Sequence, residues 1–581
     1  MELLTLKGND IYHAFLAGAR KLISQKNHLN QINVFPVADG DTGTNMSFLM
    51  QTIINEATLS DNLSETLESI ANAALNGSRG NSGIIFAEYF NGLYERLKGK
   101  AQIKLSDFKD AVKHAIKKAY EAIMNPVEGT ILTVLRKAFE INDSQDDFNS
   151  YFKTSLRQAK IALKETTEEL EVLKKNGVVD AGAEGFTAFL EGINYYLETG
   201  NSELPTNAET FEILNDVHEM TVTERFCTEA LLINVNRSSQ DLKEIFKDDG
   251  VSLIISGRFD KMRIHIHTNH PDEFFLKLRQ YGQILEQKVD DMIRQQEAVS
   301  KDHPRIAIVC DTIADLPDEL KDAYQIHQIP MNLLVDDVSY LDKVTISSKT
   351  FYELLKVSSH FSSSQPDIKS VERTLGFLSD HYDHILVITV AKELSGTFNV
   401  MTQYAKTNPK VTILDSFQNS GGEGLIVYEA AKMANSGKSI SEIVSHVQDL
   451  SRRTRIYVSV KTLKYMVKQG RVSKVTGFVA KLMNLKPVIS LDKQGKGMIK
   501  RKALSLKANE RQILNLLKMG KVESYAMVHA SALKRAQKLT LKIEKLTKLS
   551  PLYTTEISPI VAMNAGIGAV AVAVTFQEEV E

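Results

Sequence analysis

The segment Asn33-Val34-Phe35-Pro36-Val37-Ala38-Asp39-Gly40-Asp41-Thr42-Gly43-Thr44-Asn45-Met46 sets two carboxylates two positions apart with a glycine between them. Asp39 and Asp41 converge on one point only if the chain turns sharply at Gly40, and glycine permits such a turn. Paired hard oxygen donors suit Mg²⁺, an ion that also takes oxygens from the phosphates of ATP. Thr42, Gly43, Thr44 and Asn45 then supply hydroxyls, an amide and close-approaching N–H groups ahead of a helix expected from about Met46. A helix start favours anions. The plain alternative is an Asp-Gly turn that caps a helix and binds nothing.

Two further glycine-rich entries weaken that alternative. Gly77-Ser78-Arg79-Gly80-Asn81-Ser82-Gly83 precedes an apolar helical pattern, and Gly177-Val178-Val179-Asp180-Ala181-Gly182-Ala183-Glu184-Gly185 precedes another. Asn81, Ser82 and Gly83 thus join the candidate phosphate-binding set. Neither a Walker A loop nor a dinucleotide-binding glycine pattern is present.

Around these loops, residues 1 to about 200 read as helices. Phe108, Ala111, Val112, Ala115, Ile116, Ala119, Tyr120 and Ile123 recur at three-four spacing over Ser106–Met124, with Ser106 as the expected N-cap. A second pattern runs from Thr154 to Lys175, stopped by Gly177. Past the polar stretch Glu198–Asn207 the period shortens: Glu229–Val235, Val251–Ser256 and Lys261–His267 read as strands, with a helix over Asp241–Lys247. His265 and His267 share a strand face, so both imidazoles project together. With Cys227 they suit tetrahedral Zn²⁺, a fourth ligand coming from water or Glu229.

Lys301–Pro304 marks a second boundary. Strands expected at Ile306–Cys310, Ile385–Val390, Thr412–Leu414, Arg455–Val460 and Tyr525–His529 alternate with amphipathic helices, which predicts an α/β domain with largely parallel sheets. The motifs Asp311–Pro317, Ser363-Ser364-Gln365-Pro366, Leu394-Ser395-Gly396-Thr397-Phe398, Asp415-Ser416, Gly421-Gly422 and Gln469-Gly470-Arg471-Val472 fall near strand ends. Hydroxyls gathered there can hold a small anion, and nearby Val, Ile, Leu and Met can line a long apolar tunnel. Taken singly, each serine also reads as a helix cap. The fold class expected is therefore multidomain: an N-terminal all-α part (1–203), a small α+β middle domain (206–300) and a C-terminal α/β domain (303–581).

Asp39-Gly40-Asp41-Thr42-Gly43-Thr44-Asn45-Met46, the Asn81-Ser82-Gly83 loop, Glu128-Gly129-Thr130 and Val179-Asp180-Ala181-Gly182-Ala183 resemble the ATP-binding domain of the dihydroxyacetone kinase family, most of all its bacterial fatty acid kinase branch. The resemblance implies a DhaL-type antiparallel helical barrel, ATP and two Mg²⁺ ions at one end, nucleotide contacts from Thr130, Asp180 and Gly182, a middle domain that carries the Cys and His pair on a structural Zn²⁺, and a homodimer. Where dihydroxyacetone kinases have a third metal-binding Asp, this chain has Asn33 and one extra loop residue, as the fatty acid branch does.

Residues 303–581 resemble the DegV family of fatty acid-binding proteins. Carried over by motif, Ser363, Ser364 and Ser395 hold the carboxylate and Arg471 neutralises the incoming phosphate. The family's His-x-Gly-Pro-Gly loop reads Asn564-Ala565-Gly566-Ile567-Gly568 here, and Asn donates a hydrogen bond but never becomes cationic. The combined expectation is a kinase acting on the carboxylate of a fatty acid, its acyl phosphate product taken up by acyl phosphate-using acyltransferases. The competing readings are a kinase for a small hydroxyketone such as dihydroxyacetone, and a lipid-binding regulator without turnover.

Composition bounds these readings. The chain of 581 residues is 43% hydrophobic and 24% charged with net charge −2, which gives no general electrostatic reason for a nucleic-acid partner. Two distant cysteines, Cys227 and Cys310, make no disulfide framework. No leader is read at the N-terminus, and the longest apolar run, Ala565–Phe576, is about half a bilayer span. It reads as a buried terminal strand, and the expected location is cytoplasmic.

Overall fold

The computed structural model describes residues 3–141, 145, 147–203, 223–300, 303–470 and 485–580. They form two compact units, Met1–Val299 and Ser300–Glu581.

In the first unit the helices Gly8–Ser24, Thr42–Glu56, Leu63–Gly77, Gly80–Leu97, Leu105–Ala122, Ile131–Phe139, Phe148–Glu169 and Ala181–Thr199 pack each against the next in a ring that closes on itself. Its interior is aromatic: Phe15, Phe86, Phe90, Phe186 and Phe189 interlock, Phe86 stacking on Phe90 at 4.8 Å. A short antiparallel ribbon, Thr5–Lys7 with Gln102–Lys104, is the one departure from helix among the described residues of this part.

The helical periodicity holds, but its ends differ from expectation. The Leu105–Ala122 helix buries Phe108, Ala111, Val112, Ala115 and Ala119, yet it starts at Leu105, and the cap is made by Asp107 accepting from the Lys104 N–H rather than by Ser106. The pattern of Thr154–Lys175 belongs to two helices, Phe148–Glu169 and Glu171–Asn176, separated at Leu170. Gly177 ends the second in the left-handed region, at φ +64°.

The rest of this unit is a four-stranded antiparallel sheet in the order Val251–Arg258, Lys261–Thr268, Phe226–Ile233, Gln283–Asp291. The last strand adds to the three expected; Gln283–Asp291 is mostly polar, which hides it from the sequence pattern. Helices Ser239–Phe246 and Pro271–Leu278 cover one face, where Leu242, Phe246, Phe274 and Phe275 meet Ala230, Leu232, Ile264 and Ile266. Alternation sends Cys227, Glu229, His265 and His267 to the opposite face.

In the second unit one sheet is parallel, in the order Val411–Asp415, His384–Thr389, Ile306–Asp311, His327–Ile329. A three-stranded antiparallel sheet holds Phe361–Ser364 against Asn332–Val335. The six-stranded sheet corrects the expectation of largely parallel strands: only Val522–His529 with Thr554–Glu556 is parallel in it. Val570–Phe576, the last strand of the chain, inserts between Thr454–Ser459 and Val522–His529 and runs antiparallel to both. All seven of its residues are buried, but the strand expected over Ala565–Phe576 is shorter: Ala565 ends the Pro559–Ala565 helix and the strand begins only at Val570, after the Gly566 and Gly568 turn.

Candidate active site

The Asn33–Asp41 loop is held by its own polar side chains. Gly40 makes the turn at φ +66°. Asn33 Nδ2 donates to Asp39 Oδ1 at 2.6 Å and to the Val37 carbonyl at 3.1 Å, and Asn33 Oδ1 accepts from the Thr42 hydroxyl. Asn33 is thus occupied as a brace for Asp39. The helix begins at Thr42 rather than near Met46. Asn30 fixes its first turn, accepting from the Thr44 N–H at 2.9 Å and donating to Thr44 Oγ1 at 3.0 Å. A side chain at Gly43 would strike the Lys26 carbonyl.

Asp39 and Asp41 are half-buried. Burial, and then the charge of Asp41, pushes Asp39 well above the usual carboxylate range. Burial raises Asp41 as well, against the pull of Lys288 and a hydrogen bond from Asn45. Two carboxylates that resist ionising together are what a divalent cation relieves, and this donor set fits Mg²⁺.

The other glycine loops meet this one. Gly80, at φ +62°, lies so close to Asn45 that a Cβ would sit 2.7 Å from Asn45 Nδ2. Asn81 Oδ1 is buried without a hydrogen-bond partner. Ser82 Oγ fills the space a Cβ at Gly182 would need, and Gly83 follows within the Gly80–Leu97 helix. Asp180 caps the Ala181–Thr199 helix through the Ala183 N–H at 2.8 Å and also accepts from the Gly182 and Ile131 amides; burial pushes it up to about 6. Ile131 follows Thr130, itself the N-cap of the Ile131–Phe139 helix. Asp180 and Thr130 therefore do the capping work, and in doing so draw a fourth segment to the same end of the helical ring.

The middle-domain sheet adds a grid of six side chains. Glu229 pairs across the strands with His265 and Lys288, and Cys227 pairs with His267 and Asp290. The ligand atoms of Cys227, His265 and His267 lie within 4.8 Å of one another. His265 Nε2 and Glu229 Oε2 are buried without partners, while His265 Nδ1 is 3.2 Å from Glu229 Oε1. Burial raises the Cys227 thiol and holds His267 near 3, as a neutral imidazole. One thiol and two imidazoles fit Zn²⁺. The sequence reading missed the neighbourhood of this cluster: Glu229 Oε1 accepts from the Gly80 N–H at 2.6 Å, so the candidate zinc site adjoins the phosphate loops.

In the second unit, Ser363 stands opposite Leu333 and Ser364 opposite Asn332. Asn332 Nδ2 donates to the Gln365 carbonyl at 3.1 Å, and Gln365 Oε1 occupies the space beside Gly396. The Ser364-Gln365 and Ser395-Gly396 turns are thereby in contact. Ser395 Oγ lies 2.8 Å from Thr397 Oγ1 and accepts from the Thr397 N–H at 3.3 Å, closing a short turn just before the helix, whose N-cap is Gly396. Gln469 Nε2 donates to the Phe361 carbonyl at 3.1 Å, bringing Gln469-Gly470 to the strand that carries Ser363. Arg471 lies outside the described residues.

Asn564 donates to the Ile560 carbonyl at 2.8 Å, and its Oδ1 is buried and unpartnered. It lines an apolar cavity of about 60 Å³ with Ile456, Val458, Met466, Val528 and Val561. That is far smaller than the roughly 300–1,000 Å³ of a typical ligand pocket, so the apolar lining is present here without the length expected of a tunnel. The Asp311–Pro317 motif is structural: Asp311 accepts from the Ile313 and Val390 amides at 2.9 and 3.0 Å, and Asp315 from the Ser558 N–H at 2.8 Å.

The DAK2 domain profile matches residues 36–195, the FakA-like middle domain profile of the fatty acid kinases matches 223–299, and that of the DegV family of uncharacterised proteins matches 305–577. The chain thus joins a DAK2 domain, a FakA-like middle domain and a DegV domain.

Among individual proteins, it is similar to Protein YloV of Bacillus subtilis, 30% identical over 323 residues that cover 52% of this chain and 58% of that protein. An uncharacterized protein of Staphylococcus epidermidis is 31% identical over 303 residues, 49% of this chain and 55% of the relative. The chain spans little more than half the length of these curated relatives. Similar solved structures include a fatty acid-binding DegV family protein from Thermus thermophilus, with 23% identity, 47% of this chain and 99% of that chain covered, and TM-score 0.44. The Streptococcus pneumoniae fatty acid kinase B3 protein loaded with linoleic acid gives 19% identity, 47% and 99% coverage, and TM-score 0.43.

Proposed function

We propose that this chain transfers the γ-phosphate of ATP to the carboxylate of a fatty acid, giving ADP and an acyl phosphate. The observation that carries the reading is the Asp39–Asp41 pair, two carboxylates opposed in their ionisation at the meeting point of three glycine-rich helix entries. The fatty acid comes from the kind of middle domain that accompanies the pair, and from the DegV domain in the same chain.

A fatty acid carboxylate is already ionised at neutral pH and needs no general base, so the task reduces to positioning and charge neutralisation. Mg²⁺ on Asp39 and Asp41, two ions in this reading, would supply charge for the β- and γ-phosphates, and Zn²⁺ on Cys227, His265 and His267 would brace the sheet. Thr42–Asn45 and Asn81–Gly83 orient the phosphates with N–H groups at helix starts. Thr130, Asp180 and Gly182 shape the nucleotide end. Ser363, Ser364, Ser395 and Asn564 receive the carboxylate, and Arg471 offsets charge on the phosphoryl group. Carrying both domains on one chain raises their effective concentration. A cytoplasmic homodimer that feeds acyltransferases completes this reading.

The second reading, a lipid-binding protein without turnover, is favoured by Asn564 and by the small cavity beneath it. Incubation with Mg-ATP and oleate, with hydroxylamine trapping of acyl phosphate, separates the two. A hydroxamate formed with oleate and absent with dihydroxyacetone is the expected result. Bound oleate without hydroxamate would select the second reading.

A further inference from the structure

Lys288 is a buried cation for which the reading above has no use. It is 6% exposed, on the edge strand Gln283–Asp291 of the middle-domain sheet. Its Nζ lies 2.7 Å from Asp290 Oδ2 and 3.9 Å from Glu229 Oε1. Removing an ammonium from water costs several kcal/mol even after relaxation. A surface strand position does not require that; a lysine there normally lays its stem on the sheet and leaves its charge in water.

The neighbours indicate the direction of its charge. Glu229 Oε1 also accepts from the Gly80 N–H at 2.6 Å, and Gly80 rests on Asn45, which donates to Asp41. A contiguous path of contacts therefore runs from Lys288 through Glu229 to the first turn of the Thr42–Glu56 helix. The charge of Lys288 acts on both Asp39 and Asp41, yet neither lies within 4 Å of its Nζ. The ammonium thus acts on the carboxylate pair through space while its ion pairs go to Asp290 and Glu229. With divalent cations on the carboxylates, that positive charge favours an anion bound beside them.

We propose that Lys288 is a catalytic residue whose ammonium contacts the phosphoryl group being transferred, and that Glu229 is the positioning residue that ties it to the Gly80 loop. The proposal rests on the kinase reading. An acceptor oxygen forms its bond to Pγ as the bond from Pγ to the β,γ-bridging oxygen breaks, and the electron pair of that bond leaves with ADP. Lys288 exchanges no proton; it offsets negative charge on the equatorial oxygens.

The test uses the full-length protein and Lys288→Met, which keeps the stem and removes the charge. Calorimetry with Mg-ATP and Mg-ADP is the primary readout. Affinity for Mg-ATP is expected to fall about 10-fold and that for Mg-ADP less than about 2-fold, because only ATP carries the contacted group. Acyl phosphate formation is expected to fall about 10²-fold, with zinc content and melting temperature reporting the fold. Lys288→Arg should recover part of both losses, and Glu229→Gln should lower turnover less than Lys288→Met. Equal changes for the two nucleotides, or a lowered melting temperature with nucleotide binding and turnover unchanged, would reduce Lys288 to a structural ion pair and overturn the proposal. Should Lys288→Met fail to fold, the ATP-to-ADP affinity ratio of Lys288→Arg decides: a changed ratio supports the contact and an unchanged ratio refutes it. Failure of the wild-type protein to form acyl phosphate would remove the fatty acid reading, while the nucleotide ratio would still decide whether Lys288 meets the γ-phosphate.

Discussion

In the first unit Asp39 and Asp41 face each other across a glycine turn, braced by Asn33 and Asn45, with Lys288 beyond ordinary ion-pair reach. In the second unit Asp315 is fully buried, yet its carboxylate accepts from the Ser558 N–H and the Ser420 hydroxyl and lies 2.8 Å from Lys343 Nζ. The same residue type is left wanting a cation in one place and fully paired in the other. On the proposed reading the Asp39 pair is the site, whereas Asp315 ties the Asp311–Pro317 loop to the starts of the Ser420–Asn435 and Pro559–Ala565 helices. An acidic motif near a strand end is therefore diagnostic only once its partners are counted.

That contrast breaks first at Asp41. Asp41→Ala should lower acyl phosphate formation by about 10³-fold or more, read by hydroxamate trapping. Without Mg²⁺ its melting temperature should equal or exceed that of the wild type, because the substitution relieves the raised Asp39. A lowered melting temperature with retained turnover would place Asp41 in the same category as Asp315.

Asp315→Ala should do the reverse. Stripping Lys343 of this partner should cost about 3–5 kcal/mol of stability, seen by calorimetry, while Mg-ATP affinity stays unchanged.

Asp180 sharpens the comparison through pH. Its folded value of about 6 lies above its ordinary 3.8, so the folded state holds the proton more tightly than the unfolded chain. The associated stabilisation is fully present below about pH 4 and lost as pH rises through about 6, amounting to about 3 kcal/mol. Asp180→Asn keeps a capping oxygen and removes the charge. Its melting temperature relative to wild type should rise between pH 5 and pH 8, and a constant difference would contradict the burial argument.

The smallest effect is expected at Ser395. Ser395→Ala removes one hydroxyl from a turn already closed by it and should weaken oleate binding by about 1 kcal/mol, or roughly fivefold. Nucleotide affinity should not move. Fluorescent fatty acid displacement measures the loss, and an unchanged oleate affinity would leave Ser395 as a turn residue only.

Several features were legible in the residues themselves. The three-four spacing from Phe108 to Ala119 fixed a helix, because one face of a helix repeats at that interval. The pairing of His265 with His267 on one face followed from strand alternation alone. The glycines at 40, 80 and 182 marked turns and close approaches that a side chain would block. Tertiary structure decided the rest. Gln283–Asp291 is too polar to announce itself as a strand, so Lys288 and Asp290 were invisible until pairing with Phe226–Ile233 set them beside Glu229 and Cys227. Likewise, the insertion of Val570–Phe576 between two earlier strands set the antiparallel six-stranded sheet. Local periodicity specifies which face of an element is apolar, but not which distant element that face will meet. Registers and partners are settled by long-range packing, and for that reason Lys288, whose charge reaches Asp39 and Asp41, emerged only from the folded chain.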